Sequence, residues 1–476
     1  MNTKTATPAS PDNVLFIAFL ILLVWLPLPL GSNRPWAVSM MEIWVFTLTI
    51  GWLLLYGRDK VNLTQPFKAA WPILALLAMV VVWHMFQQLH LPLNWLQWLS
   101  PESAKIYGQS LLDPPTSAPL SQDPAATYLA ALESSAYWCL FALTLLLVNT
   151  RARTKILAYT LVFSGLFQAC YGSFMTLSGL EWGFLIEKEH YRGVATGTFI
   201  NRNHLAGYLE MCLATGIGLL LANLSKTRAK NWREWTRRTL QVLLGPKVRL
   251  RLYLAMMVIA LVLTHSRMGN TAFFASLSLT ALIGLILSLG KKHTSISSYE
   301  TRTRVILFAS LIVIDLFIVG AWFGVEKVVE RLEHTSAASE SRDEVNEYAW
   351  GMWQDHLLTG TGGGSFYSAF MRYGQADMGS SFYDHAHNDY LQFGSEYGLI
   401  GFIPLSLCVL ICFYISLKAQ RQRRSALMRG MGFAATMGII SLMIHSTVDF
   451  NLQIPANAAL FLILMALAWI ALYVRD

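Results

Sequence analysis

Apolar residues in this chain run in long blocks separated by short polar turns, and a bilayer core asks for about 20 such residues in each helix. Measured against that length, the pattern predicts twelve spans: 14–31, 36–56, 70–91, 131–149, 156–178, 204–224, 252–266, 269–290, 305–324, 390–417, 431–449 and 455–474. The first has one lysine ahead of it and no A-x-A-like cleavage site after it, so it reads as a retained helix, not a signal peptide. Spans 252–266 and 269–290 leave room only for a tight turn. Two stretches are too polar to span, the proline-rich 92–130 and the long 325–389. In the second, 325–335 is charged and helix-compatible, and Ser336 to Ser341 reads as a break. Val345, Tyr348, Ala349, Met352, Trp353 and His356 then fall at helical spacing, which predicts an amphipathic helix over 342–357. Long ordered loops of this kind are usually functional.

Composition agrees. Of the 476 residues, 54% are AVILMFWYC and 13% are charged, against roughly 25% charged in soluble proteins. A soluble enzyme, a disordered chain and a disulfide-rich secreted domain are excluded. The five cysteines lie in apolar runs and read as small buried hydrophobes, with no zinc spacing. Alternating the twelve spans from a cytoplasmic N-terminus puts 26 of the 36 Lys and Arg on the cytoplasmic side, the bias expected of an even number of spans with both termini inside. The basic run Lys226 to Arg251, with Trp232 and Trp235, then reads as a segment lying on anionic lipid in preference to a nucleic-acid site.

The domain plan that follows has transmembrane helices 1–3 in 1–91, a periplasmic proline-rich insert at 92–130, and helices 4–9 in 131–324. That middle block includes periplasmic 179–203 and cytoplasmic 225–251; a large periplasmic loop at 325–389 and helices 10–12 in 390–476 complete it.

Ionisable residues inside the spans include Glu42, Glu210, Asp315, His84, His265 and His445. Each is a functional candidate because an intramembrane charge is costly, or a neutral or paired group of the bundle. The outer face is more informative. It keeps Arg192, Arg202, Arg267, Arg342 and Arg372 on the side where positive charge is depleted, beside Asp384-His385-Ala386-His387-Asn388-Asp389-Tyr390. A guanidinium recognises phosphate bidentately at any pH, so these arginines answer either to the loop's own acids or to an anionic ligand such as a lipid-carrier diphosphate. Other readings stand beside this one. Asp384, His385, His387 and Asp389 are metal-ligand types, although no second cluster of matching spacing exists. His385 is a helix cap or a substrate contact, and Asn201 and Asn203 are candidate caps before His204. Gly360 to Gly364 is a loop turn or a backbone nest for phosphate.

Four motifs carry a resemblance. Gly197-Thr198-Phe199-Ile200-Asn201-Arg202-Asn203-His204-Leu205-Ala206-Gly207-Tyr208 comes first, followed by Leu263-Thr264-His265-Ser266-Arg267. Leu358-Thr359-Gly360-Thr361-Gly362-Gly363-Gly364-Ser365-Phe366 is third, and His385-Ala386-His387-Asn388-Asp389-Tyr390-Leu391-Gln392 with Glu396-Tyr397-Gly398-Leu399-Ile400-Gly401 is last. In this order, over roughly 190–450, the chain resembles the O-antigen ligase and Wzy-type O-antigen polymerase superfamily; the insert at 92–130 is similar to exopolysaccharide-polymerase-like members.

The resemblance implies an all-α fold like the C superfamily of membrane glycosyltransferases. It implies an inverting, metal-independent transfer, without cofactor, of a glycan from undecaprenyl diphosphate to an acceptor sugar or lipid A-core at the periplasmic face. A chain-length regulator or other polysaccharide-assembly protein would be a partner. By motif, Arg267 and Arg202 bind the donor diphosphate, with Arg192 a substitute for Arg202, and His387 acts on the acceptor. His385, Asn388, Asp389, Tyr390 and Arg342 would support them, with Asp389 and Tyr390 orienting His387. Fixed cations stabilise the departing diphosphate, and a histidine kept neutral by neighbouring arginines suits a general base. The competing reading is a twelve-helix lipid transporter or flippase, which usually shows a repeat between halves; none is visible in this sequence.

Overall fold

The computed structural model describes residues 10–110, 115–184, 186–223, 246–289, 336–374 and 383–475. Among them every long element is a helix: α1 (Asn13–Trp25), α2 (Pro35–Gly57), α3 (Trp71–Gln87), α4 (Pro124–Leu147), α5 (Arg151–Ser178), α6 (Arg202–Ala222), α7 (Pro246–Leu263), α8 (Arg267–Leu289), α9 (Ser336–Asp355), α10 (Asp389–Gln422), α11 (Ala426–His445) and α12 (Pro455–Tyr473). Two antiparallel pairs of two-residue strands join Leu91–Pro92 to Ser117–Ala118 and Trp182–Gly183 to Ile186–Glu187. Eight helices (α2, α4, α5, α6, α8, α10, α11 and α12) are long and apolar enough to cross a membrane; α1 and α3 are apolar but shorter. The chain is an all-α polytopic membrane protein. The expected span 305–324 with Asp315, the segment 325–335 and most of the basic run after Lys226 lie outside the described residues.

Helix ends differ from the apolar pattern where capping chemistry decides. α4 starts at Pro124, not 131, because the Asp123 carboxylate accepts from the Ala126 N–H at 3.0 Å and a proline occupies the first turn. The break expected at Ser336 to Ser341 is instead the start of α9. That stretch holds no Gly or Pro to stop a helix, while Ala337, Ala338 and Glu340 favour one. The amphipathic face comes out as spaced: Val345, Ala349 and Met352 are fully buried against Phe366, Phe370 and Ala386.

Burial sorts the bundle. In α6 and α12, 89% of the apolar window is covered by protein, against 22% in α2, so α6 and α12 form the centre and α2 leaves its apolar side chains outward. α6 runs against α11 at backbone distance, since a Cβ on Gly218 would strike the Gly430 carbonyl. Small residues at such crossings replace the hydrophobic drive that lipid removes.

α10 is interrupted. Gly398 takes φ 59° and ψ −178°, and Pro404 follows. The N–H groups of Leu399 and Ile400 turn to the carbonyls of Leu357 and Leu358 at 2.8 and 3.2 Å, so the loop after α9 serves backbone that the break leaves open. Only glycine fits at this crossing, because a Cβ on Gly398 would meet the Leu358 carbonyl and one on Gly360 the Glu396 carbonyl.

Contacts collect polar groups at both ends of the bundle. At one, Arg153 clasps Asp12 through both guanidinium nitrogens at 2.8 Å, out of solvent. The opposite end gathers the end of α3, the starts of α4, α6, α8, α10 and α12, and the ends of α7 and α11.

Candidate active site

α10 begins with a cap that fixes the loop before it. The Asn388 side chain accepts from the N–H groups of Tyr390 and Leu391 at 3.0 and 3.2 Å; Asn388, not His385, is the cap. Immediately upstream, His387 holds a left-handed backbone at φ 52°, a conformation uncommon outside glycine and worth tracing to its cause. The rings of His385 and His387 both meet Phe450, at centroid distances of 4.3 and 4.8 Å. His204, in the first turn of α6, meets the same ring at 4.7 Å and faces Asp449 at 3.7 Å. Three imidazoles thus surround one phenylalanine.

Electrostatics follow from burial. His385 is lowered to about 4 by burial, helped by His204 and His387 nearby and opposed by the Gln392 amide oxygen at 3.3 Å; at neutral pH it is uncharged. Burial pushes Asp449 up, but the charges of His204 and His445 and the Phe450 N–H hold it well below the usual carboxylate range. Beneath this layer Glu210 of α6 joins α11, with His445 Nδ1 at 2.8 Å and the Ser441 hydroxyl at 2.6 Å. Glu210 and His445 are therefore a buried pair of the bundle.

Asp389 and Tyr390 face other partners. Asp389 accepts from the Ser446 hydroxyl at 2.7 Å, the Leu452 N–H at 3.1 Å and the Gln453 amide at 3.4 Å; Tyr390 donates to the Met443 carbonyl at 2.9 Å. They tie α10 to the end of α11 and the following loop.

The arginines separate into different settings. Arg267 is exposed and opens α8 after a three-residue turn. His265 supplies a left-handed φ of 53° there, and the Ser266 hydroxyl caps the Gly269 N–H at 3.1 Å. α8 starts hard against α6, because a Cβ on Gly269 would collide with that of Ala206. Arg202, four residues before Ala206, opens α6 behind its cap Asn201 and lies over the Tyr191 ring at 5.7 Å. The starts of α6 and α8 thus bring Arg202, His204 and Arg267 to one corner of the bundle. Arg192 is not drawn into that network: it pairs with Glu187 at 2.9 Å on an exposed hairpin. Arg342 falls within α9, its side chain outside the description, and Arg372 is exposed.

The glycine run behaves differently from a phosphate nest. The N–H groups of Gly364 and Phe366 point at the Glu396 carboxylate, at 3.0 and 3.1 Å. The site is filled by the chain's own acid. Gln87 of α3 closes it, donating to the Thr359 and Glu396 carbonyls and accepting from the Gly363 N–H. Beside it opens a largely apolar cavity of about 740 Å³ between α3, α4, α10, α11 and α12, with Glu133, Tyr137, Asp389, Glu396 and Tyr397 among its polar lining. The proline-rich insert is stitched to the large loop through His356, whose ring nitrogens meet Gln122 at 2.9 Å and Ser100 at 3.4 Å. Burial lowers His356 to about 4. Among the described residues, no three His, Cys, Asp or Glu side chains come together as a metal-holding group.

Several of these residues escape sequence reasoning. Glu133, bonded to Tyr137 one turn on at 2.7 Å, is a lone acid in an apolar run. Asp449 and Phe450 look like the tail of a span; the signal that marks them is an Asp-Phe-Asn cluster directly after a helix that ends at His445.

No curated protein matches the chain. Residues 252–406 match the family model described as O-antigen ligase, a segment that contains the Arg267 turn, the glycine loop and the histidines before α10. Over that third of its length the chain is similar to the O-antigen ligase family, in a protein with eight helices long and apolar enough to cross a membrane among the described residues.

Proposed function

We propose that this protein is an inner-membrane glycosyltransferase that moves a glycan from undecaprenyl diphosphate to an acceptor sugar hydroxyl at the periplasmic face, acting as an exopolysaccharide or O-antigen polymerase. Twelve spans of the C superfamily type, with both termini cytoplasmic, complete the picture. The bond from the donor sugar C1 to the diphosphate oxygen breaks, the acceptor oxygen bonds C1 with inversion, His387 takes the hydroxyl proton, and the lipid diphosphate leaves. Arg267 and Arg202 offset its negative charge without a metal. The carrying observation is that one O-antigen ligase family segment holds both Arg267 and His387, while α8 starts against α6 four residues after Arg202. The apolar cavity, within the usual size of a ligand site, supports a lipid-linked substrate.

The family's description favours a second reading, ligation of the glycan to lipid A-core. Purified protein is incubated with a defined undecaprenyl diphosphate glycan, with and without lipid A-core and with and without EDTA. A product ladder without core identifies the polymerase, and a single shift that depends on core identifies the ligase. Both survive EDTA. No product from folded protein in any arm overturns the transferase reading, and a loss to EDTA restored only by divalent ion overturns the metal-independent one.

A further inference from the structure

We infer that Phe450, held by the Asp449–His204 pair, is a positioning residue that sets the imidazole of His387; the inference rests on the transfer chemistry proposed above. Phe450 lies outside the segment that matches the family, yet its ring is a surface that His204, His385 and His387 share. The geometry uses the ring's polarity. His385 stacks at an interplanar angle of 23°, while His204 and His387 stand edge-on at 75° and 77°, so one ring fixes the plane of each neighbour.

Phe450 is itself anchored on both sides. Its N–H donates to the Asp449 carboxylate at 2.8 Å, and that carboxylate faces His204 at 3.7 Å. On the other side the Leu452 N–H bonds the Asp389 carboxylate, next to the Asn388 cap. The loop after α11 therefore clamps the start of α10 on one side and the start of α6 on the other. His387, carried on a left-handed backbone, takes its orientation from this clamp, because a strained residue persists only where its surroundings over-determine it. An imidazole turned away from the acceptor oxygen loses catalysis: misplacement by about 1 Å can cost roughly 100-fold.

The test compares Phe450→Leu, which removes the ring, with Phe450→Tyr, which keeps it. In the transfer assay Phe450→Leu is expected to lose roughly 10- to 100-fold in kcat with the donor KM unchanged, and Phe450→Tyr to recover most of it. Asp449→Asn shifts in the same direction as Phe450→Leu. A second readout needs no turnover: carbethoxylation of His385 and His387, followed by mass spectrometry, accelerates in Phe450→Leu and stays at the wild-type rate in Phe450→Tyr. Wild-type activity with an equally active Phe450→Leu overturns the inference. So does equal loss of kcat, donor binding and thermal stability, which marks a structural role. If the wild type itself makes no product, the transfer reading fails; the labelling rates still decide whether the ring fixes the histidines, and unchanged rates overturn that too.

Discussion

Two buried polar clusters lie at the same end of this bundle, both touching α10, and they are finished differently. At Glu396 each carboxylate oxygen has a donor, one from Gly364 and one from Phe366, and Gln87 meets the backbone around them. Around Phe450, buried atoms are left without a hydrogen bond among the described residues, including His204 Nε2 and Asp449 Oδ2, with His445 Nε2 close beneath. A fully paired buried group holds structure together. A cluster that keeps polar capacity in reserve has a use for it beyond folding, and perturbed groups of this kind gather at functional sites. The glycine loop resembles a binding site by sequence and is a brace; the Asp-Phe-Asn loop resembles the end of a span and carries a wall of the histidine cluster.

Substitutions sharpen that contrast. His387→Ala should lower transfer about 10²- to 10⁴-fold with donor binding and melting temperature near wild type; full turnover would remove it from the chemistry. Arg267→Ala should cost about 10²- to 10³-fold in kcat, again in folded protein, and a rate near wild type would detach the turn from the site. Glu396→Ala should act the other way round. It orphans the N–H of Gly364 and the buried N–H of Phe366, the latter at about 1–3 kcal/mol, so detergent-solubilised protein should melt earlier, with a smaller loss of turnover per folded molecule than either substitution above. A Glu396 variant that melts normally but cannot turn over would erase the distinction between the clusters.

Acid gives the smallest effect. His356 and His385 are held neutral in the fold, each lowered to about 4 from an ordinary 6.5. The unfolded chain therefore binds their protons first, so the stability they contribute is complete above pH 6.5 and declines as pH falls toward 4. Hydrogen exchange should loosen first where the insert meets His356, at Ser100 and Gln122, and a flat profile over that range would contradict the burial of both rings.

Much of this was legible in the chain. Block lengths locate the helices because lipid demands satisfied backbone over a fixed thickness, and the tight turn before Arg267 follows from two apolar runs with no room between them. Spacing also reads the buried face of α9 correctly. Relations between distant segments are what spacing cannot encode. Nothing near Gly364 announces that Glu396 will fill it, and nothing near His387 announces Phe450, because both pairings arise only when α10 is set against its neighbours. The start of α9 departs from the pattern for a simpler reason: a run of serines reads as a stop unless the alanines among them are weighed.

The break at Gly398 has a mechanical consequence. Because the loop after α9 and α3 both fasten there, through Leu357, Leu358 and the bond from Trp83 to the Tyr397 carbonyl at 2.8 Å, the short upper piece of α10 is a bracket and not a lever. Tilting of the long lower piece, as bilayer thickness changes, would be absorbed at the joint before it reached His387, eleven residues upstream.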